Sequence, residues 1–204
     1  MTIWENPCCP PLQEQKGACF WYAQAEGESG KWVGPSLKVV DEAIAEDLLA
    51  ERFWVIEGDG ARERKLKCWG PHEPQIPARS DCAVLVLDGG LWGRDLQVGQ
   101  VHRPERCPEL IGRVWNAESA WPYFLRSPVF ALQYQQMPWV ILLNCHGENV
   151  ENEDLAKPVE LLRDIKYRWA EIQQKSLDPK NRPRHLRIAA GDAKEGKLQW
   201  FDLW

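Results

Sequence analysis

The chain reads as an α+β protein: a largely antiparallel sheet of short strands, with one long C-terminal helix and one shorter helix. Three observations predict this. Short apolar or alternating runs recur through the sequence, separated by glycine- and proline-bearing turns, the pattern of strands joined as hairpins. Pro158–Leu177 repeats its apolar residues at spacings of three and four, the period of a helix. Val40, Ile44 and Leu48 do the same over a shorter stretch, sharing one helical face.

Taken in order, Met1–Lys16 is polar, carries prolines and reads as an irregular arm. Ala18–Ala23 suits a strand, Glu26–Gly30 a turn and Lys31–Val33 its return. The shorter helix follows, with Asp41 placed to cap its start. Phe53–Ile56 is a continuous bulky run, too short for another helix, that implies a strand buried on both faces or one reserved for a partner. Gly58-Asp59-Gly60 signals a tight turn, because glycine tolerates positive φ. Arg64–Trp69 then alternates, Leu66 and Cys68 on one face and basic residues on the other.

Gly70–Ser80 carries Pro71, Pro74 and Pro77 and reads as a loop. Cys82–Leu87 is the most apolar run and predicts a buried strand, closed by the flexible stretch Asp88–Gly93. Leu96–Val101 alternates weakly, His102–Glu109 is a basic loop flanked by prolines, and Gly112–Trp115 suits a short strand. Trp121–Arg126 is aromatic-rich, and Val129–Tyr134 and Trp139–Asn144 read as strands. After the acidic loop Glu148–Asp154, Pro158 opens the long helix, whose stripe is Val159, Leu162, Ile165, Trp169 and Ile172. His185–Ala190 and Lys197–Trp204 form a final hairpin around Gly191, Asp192 and Gly196. Residues 1–204 are taken as one domain, Pro138–Glu153 being the one stretch where a boundary would fall.

Composition narrows the function. Hydrophobic residues make up 44% and charged residues 27% of the 204, enough for a core and against wholesale disorder. A net charge of −5 argues against broad nonspecific binding to nucleic acid or membrane, while leaving room for a local basic groove. Met1–Pro11 lacks the apolar core of a signal peptide, and no apolar run approaches a membrane span. Seven cysteines in no regular framework fit a reducing, cytoplasmic setting. Twelve tryptophans are more than a core of this size requires, which points to aromatic docking; Trp92 and Trp121 are the candidates.

Motifs for chemistry are sparse. No G-x-S-x-G is present, and Cys145 and His146, as chain neighbours on a strand, point to opposite faces. Cys8-Cys9 has no second pair, and no Cys-x-x-Cys occurs. Cys68, His72, Cys82, His102 and Cys107 read as buried thiols and loop histidines, so no metal is expected. Gly89-Gly90 belongs to neither phosphate-loop pattern, and no cofactor motif appears. A Mg-dependent nuclease would use Asp88 with Glu63 and Lys65, an acid beside an E-x-K strand. Arg94, Arg103 and Arg106 interleave with Trp92, which suits arginines holding phosphates while an aromatic ring stacks on an unpaired base.

One stretch also resembles a known family. The helix followed by Leu49, Arg52 and Phe53, then Glu57, the Gly58–Gly60 turn, a basic strand ending at Trp69 and the apolar strand Ala83–Leu87, resembles a small accessory subunit of type III-D CRISPR effector complexes. The resemblance implies a non-enzymatic protein, held by larger subunits near a guide RNA. The expectation is therefore an accessory subunit in antiviral defence with protein partners and possible RNA contact, docking through Trp92 and Trp121. The alternatives are a nucleic-acid-binding module with an aromatic pocket and, after it, the nuclease. No small-molecule substrate is indicated.

Overall fold

The computed structural model describes residues 18–22, 41–42, 45, 53–57, 60–71, 73–74, 76–145, 156–176 and 183–203. The expected arm at 1–16, the return strand at 31–33 and the acidic loop at 148–154 lie outside them. The chain divides into two compact units, Met1–Gly60 with Gln75–Arg79, and Ala61–Pro74 with Ser80–Trp204.

In the first unit β1 (Ala18–Tyr22) and β2 (Phe53–Glu57) pair in parallel, with Ala18 opposite Phe53 and Tyr22 opposite Glu57. Asp41, Glu42 and Ala45 are helical. The Asp41 carboxylate accepts hydrogen bonds from the backbone N–H groups of Ala78 and Arg79, at 3.2 and 3.0 Å.

The second unit is built on a four-stranded sheet in the order β4 (Ala83–Asp88), β6 (Pro138–Asn144), β7 (His185–Asp192), β8 (Lys197–Asp202). A two-residue ladder joins β3 (Leu66–Lys67) to β5 (Val101–His102). These pairings overturn the expected largely antiparallel sheet. β1–β2, β3–β5, β4–β6 and β6–β7 all run parallel, and among the described strands only β7–β8 is antiparallel. The physical reason lies in the connections. Parallel neighbours need a crossover of a dozen or more residues, usually helical. The 21-residue helix α2 (Ala156–Ser176) supplies one between β6 and β7, and α1 (Ala117–Leu125) lies in the connection from β4 to β6. Between β4 and β6, outside α1, the glycine- and proline-bearing stretches that suggest hairpins instead form six 3-10 turns, at Gly89–Leu91, Val98–Gln100, Pro104–Arg106, Pro108–Leu110, Pro128–Phe130 and Leu132–Tyr134, while the final hairpin, β7–β8, is present.

Two local readings change with this. Phe53–Ile56 and Arg64–Trp69 do not form a hairpin, because β2 pairs with β1 while β3 pairs with β5. The expected strand at 129–134 is a pair of 3-10 turns.

One face of the sheet is the core. Trp139, Ile141 and Leu143 on β6, with Leu186, Ile188 and Ala190 on β7, are buried, and Leu161, Leu162, Ile165 and Trp169 on α2 are buried with them. α2 packs against β7, β8 and α1. Its Trp169 indole N–H donates to the Ala117 carbonyl at 2.9 Å, tying it to the start of α1. Asn116 caps α1 by accepting from the N–H groups of Glu118 and Ser119, while the Ser119 hydroxyl accepts from the Asn116 N–H. The opposite face is open: Val84, Val86 and Trp200 are more than half exposed, and Val140 and Leu142 are half-buried between them. β4 is therefore an edge strand with one wet face, not the fully buried strand its apolar run suggested. Among the described residues no helix is long and apolar enough to cross a membrane.

Candidate functional site

A concavity of the second unit lies between the end of β3, the turn Pro104–Arg106 and the C-terminal half of α1. Two adjoining hollows of about 560 and 280 Å³ share Trp69, Arg106 and Arg126. The larger adds Cys68, Glu105, Cys107 and Tyr123, and the smaller adds Glu73 and Tyr134.

Trp69 is positioned by the buried residues before it. Leu66 and Cys68 are core, as their alternation predicted. Lys67 is not on a wet face: it is buried, with its ammonium 3.2 Å from Glu73. Trp69 leans on Tyr123, ring centroids 5.0 Å apart, and the Tyr123 hydroxyl donates to the Lys67 carbonyl at 2.8 Å. Burial pushes the Tyr123 phenol well above its ordinary range, so the ring is a neutral wall.

Glu73 anchors the smaller hollow. It accepts the Gly70 N–H at 2.7 Å and pairs with both Lys67 and Arg103. Burial alone would raise its carboxyl; the Gly70 amide, Lys67 and Arg103 outweigh that and hold it below the usual carboxylate range. His102 is lowered, by burial and then by the cations Lys67, Arg103 and Arg62, so the neutral imidazole is favoured. Tyr134 donates its hydroxyl to the Pro74 carbonyl at 3.2 Å.

The arginines divide by how they are occupied. Arg103, in a left-handed conformation at φ 60°, is spent on Glu73. Arg126 pairs with Glu109. Among the described residues the Arg106 guanidinium has no hydrogen bond or ion pair, although it is exposed and borders both hollows.

The residues expected from sequence are thus dispersed. Arg106 is at the cleft and Arg103 behind it. Arg94 is exposed and Trp92 half-buried on the turn after β4, and neither borders the hollows. Trp121 is a correction: it is 3% exposed, edge-on to Phe130 and Trp169 in the α1–α2 core, so it presents no docking surface. Asp88 is ion-paired with Lys65 at 3.0 Å and also accepts the Gly90 N–H at 2.7 Å, while Glu63 sits on an exposed left-handed turn at φ 61°. Among the described residues no three His, Cys, Asp or Glu side chains are arranged to hold a metal. Sequence reasoning missed Trp69, Glu73, Arg126 and Tyr134. Reading the Pro71–Pro77 loop for its lone acid and the Asn116–Ser119 cap as a helix start would have raised Glu73 and Arg126.

Cys68 and Cys107 are joined as a disulfide, their Cα atoms 6.2 Å apart. This replaces the reading of both as free buried thiols.

Fold and site together define a mostly parallel α/β protein with an arginine-bearing aromatic cleft on its flank. A family model described as YqeC protein matches residues 8–105. The uncharacterized protein YqeC of Escherichia coli (strain K12) is 36% identical over 58 residues, which are 28% of this chain and 23% of that protein. The chain spans less than a quarter of that curated relative's length. No solved structure matches. The family match takes in Trp69, Glu73 and Arg103 and stops one residue short of Arg106.

Proposed function

We propose that the chain is a binding protein whose cleft takes a nucleobase carrying a phosphate, either as a free nucleotide or as one unit of a single strand. The observation that supports this is the Arg106 guanidinium, unpaired among the described residues, in the same cleft as the half-buried Trp69 indole. Arginine supplies a fork for phosphate oxygens, and an indole face stacks on any base. The volume suits the ligand, since small-molecule sites commonly run from about 300 to 1,000 Å³. Glu105, which lines the larger hollow, and Glu109, paired with the lining Arg126, disfavour a bare polyanion, so the base must contribute to affinity.

Calorimetric titration of the full chain with adenosine monophosphate, a short single-stranded RNA and inorganic phosphate separates the two sources. The expected result is binding of one or both nucleotide probes and not of phosphate alone, weakened roughly tenfold or more by Arg106→Ala or Trp69→Ala. Equal affinity in wild type and both variants would sink the reading.

A second reading rests on the open sheet face. Val84, Val86, Val140, Leu142 and Trp200 form an apolar surface suited to a protein neighbour, as an accessory subunit requires. An RNA-guided defence complex is the assembly that the type III-D resemblance proposes. Recovery with larger subunits and guide RNA, lost on Val86→Glu, supports it; a Val86→Glu variant that assembles normally removes it.

A further inference from the structure

We propose that the Cys68–Cys107 disulfide is a redox latch that makes ligand binding at this cleft conditional on oxidation. The inference rests on the nucleotide reading for its ligand, but on separate observations for the latch.

The two half-cystines are the chain neighbours of the two groups on which that reading depends. Cys68 precedes Trp69, and Cys107 follows Arg106. One covalent bond therefore sets the spacing between the stacking wall and the anion-binding wall. The remaining ties between those walls are slight. β3 and β5 share a ladder of two residues, Leu66 opposite Val101 and Lys67 opposite His102. The Cys68 N–H donates to the His102 carbonyl at 3.0 Å, and Arg103 reaches Glu73. After Arg103 the chain reverses through a left-handed residue into the short turn that carries Arg106. Among the described backbone hydrogen bonds none runs from the Pro104–Arg106 turn to β3, and the disulfide spans that gap.

Both sulfur-bearing residues are buried from bulk solvent, yet both line the larger hollow. A small dithiol reaches the bond through the cleft itself. Exchange transfers two electrons and two protons: the S–S bond breaks, Cys68 and Cys107 become thiols, and the dithiol closes to its own disulfide. A disulfide oxidant such as oxidised glutathione runs the reverse step. Reduction frees the Arg106 turn from the Trp69 wall, so binding then has to restore an arrangement that the bond otherwise holds ready.

The test uses the full chain, oxidised and after dithiothreitol, with the gain of two titratable thiols confirming reduction. Adenosine monophosphate and the single-stranded RNA are the probes, and amide exchange over 66–70 and 103–110 is the readout independent of ligand. Reduction is expected to weaken probe binding roughly tenfold and to accelerate exchange in both segments. Cys107→Ser should match the reduced protein in either condition. Equal affinity in the oxidised and reduced forms overturns the latch. If neither form binds a probe, accelerated exchange keeps the latch and discards the nucleotide, while unchanged exchange discards both.

Discussion

At the scale of single residues, Glu73 carries the most structural weight for its size. Its carboxylate is the shared partner of Lys67, Arg103 and the Gly70 amide, and its side chain is only 9% exposed. Removing one member of such a cluster leaves charges in a poorly hydrated place, with a cost that falls as exposure rises. Arg103 is partly open to water, which discounts the effect, so Glu73→Gln should lower stability by about 2 kcal/mol. The pH dependence has a definite sign. Because the folded carboxyl lies below its unfolded value, its contribution is complete above the unfolded value and is lost as pH falls through the folded one. Urea unfolding of the wild type should therefore weaken as pH drops below about 4.3, and Glu73→Gln should flatten that part of the profile. An unchanged acid limb in the variant would show that another group is responsible. Little of this was visible in the sequence. Lys67 alternates with apolar neighbours and so resembles a lysine on a wet strand face; its partner lies six residues later, in a loop with no periodicity to place it.

At the scale of elements, the strands and the long helix were largely legible, and their partners were not. β6, β7, β8 and α2 fall close to the apolar runs that predicted them. α1 escaped because Pro122 lies inside it, where a proline removes a backbone donor and costs a helix about 3 kcal/mol. The Asn116–Ser119 cap and the buried Trp121, Tyr123 and Phe124 outweigh that cost. β4 illustrates the opposite error. A run of four aliphatic residues gives no hint of which face is covered, and only the sheet order shows that Val84 and Val86 are open while Leu87 is buried. The two faces should respond differently to substitution. Ile141→Ala or Leu143→Ala removes buried volume and should cost about 2–5 kcal/mol, whereas Val86→Thr should change stability by less than about 0.5 kcal/mol. Chemical denaturation of the three variants checks this, and a large loss in Val86→Thr would mean that the open face is covered in solution. The cleft was legible to the same partial extent: Arg106 stands out in a basic loop, but Arg126 and Tyr134 come from a helix and a 3-10 turn that the pattern did not reveal.

At the scale of the molecule, the second unit is held by pairings between distant stretches of chain. The disulfide adds one more, across a separation of 39 residues, a closure worth about 4 kcal/mol in the chain-entropy account. The parallel pairs β4–β6 and β6–β7 each enclose a long crossover, while β7 and β8 meet through the short turn Ala193–Gly196. Gly191 enables that meeting: at φ 140° a side chain there would lie 2.1 Å from the Lys197 carbonyl oxygen. This asymmetry sets an order of events. Local pairings form before distant ones repay their loop closure, so the β7–β8 hairpin should nucleate and β4 should dock last. Stopped-flow measurements should then find that Leu198→Ala mainly slows refolding and Leu87→Ala mainly speeds unfolding; the reverse assignment would place the nucleus elsewhere. Until β4 arrives, the central strand β6 waits with an unpaired edge. The chain is at its most aggregation-prone in that interval, because an unsatisfied row of backbone groups templates another copy as readily as its own β4.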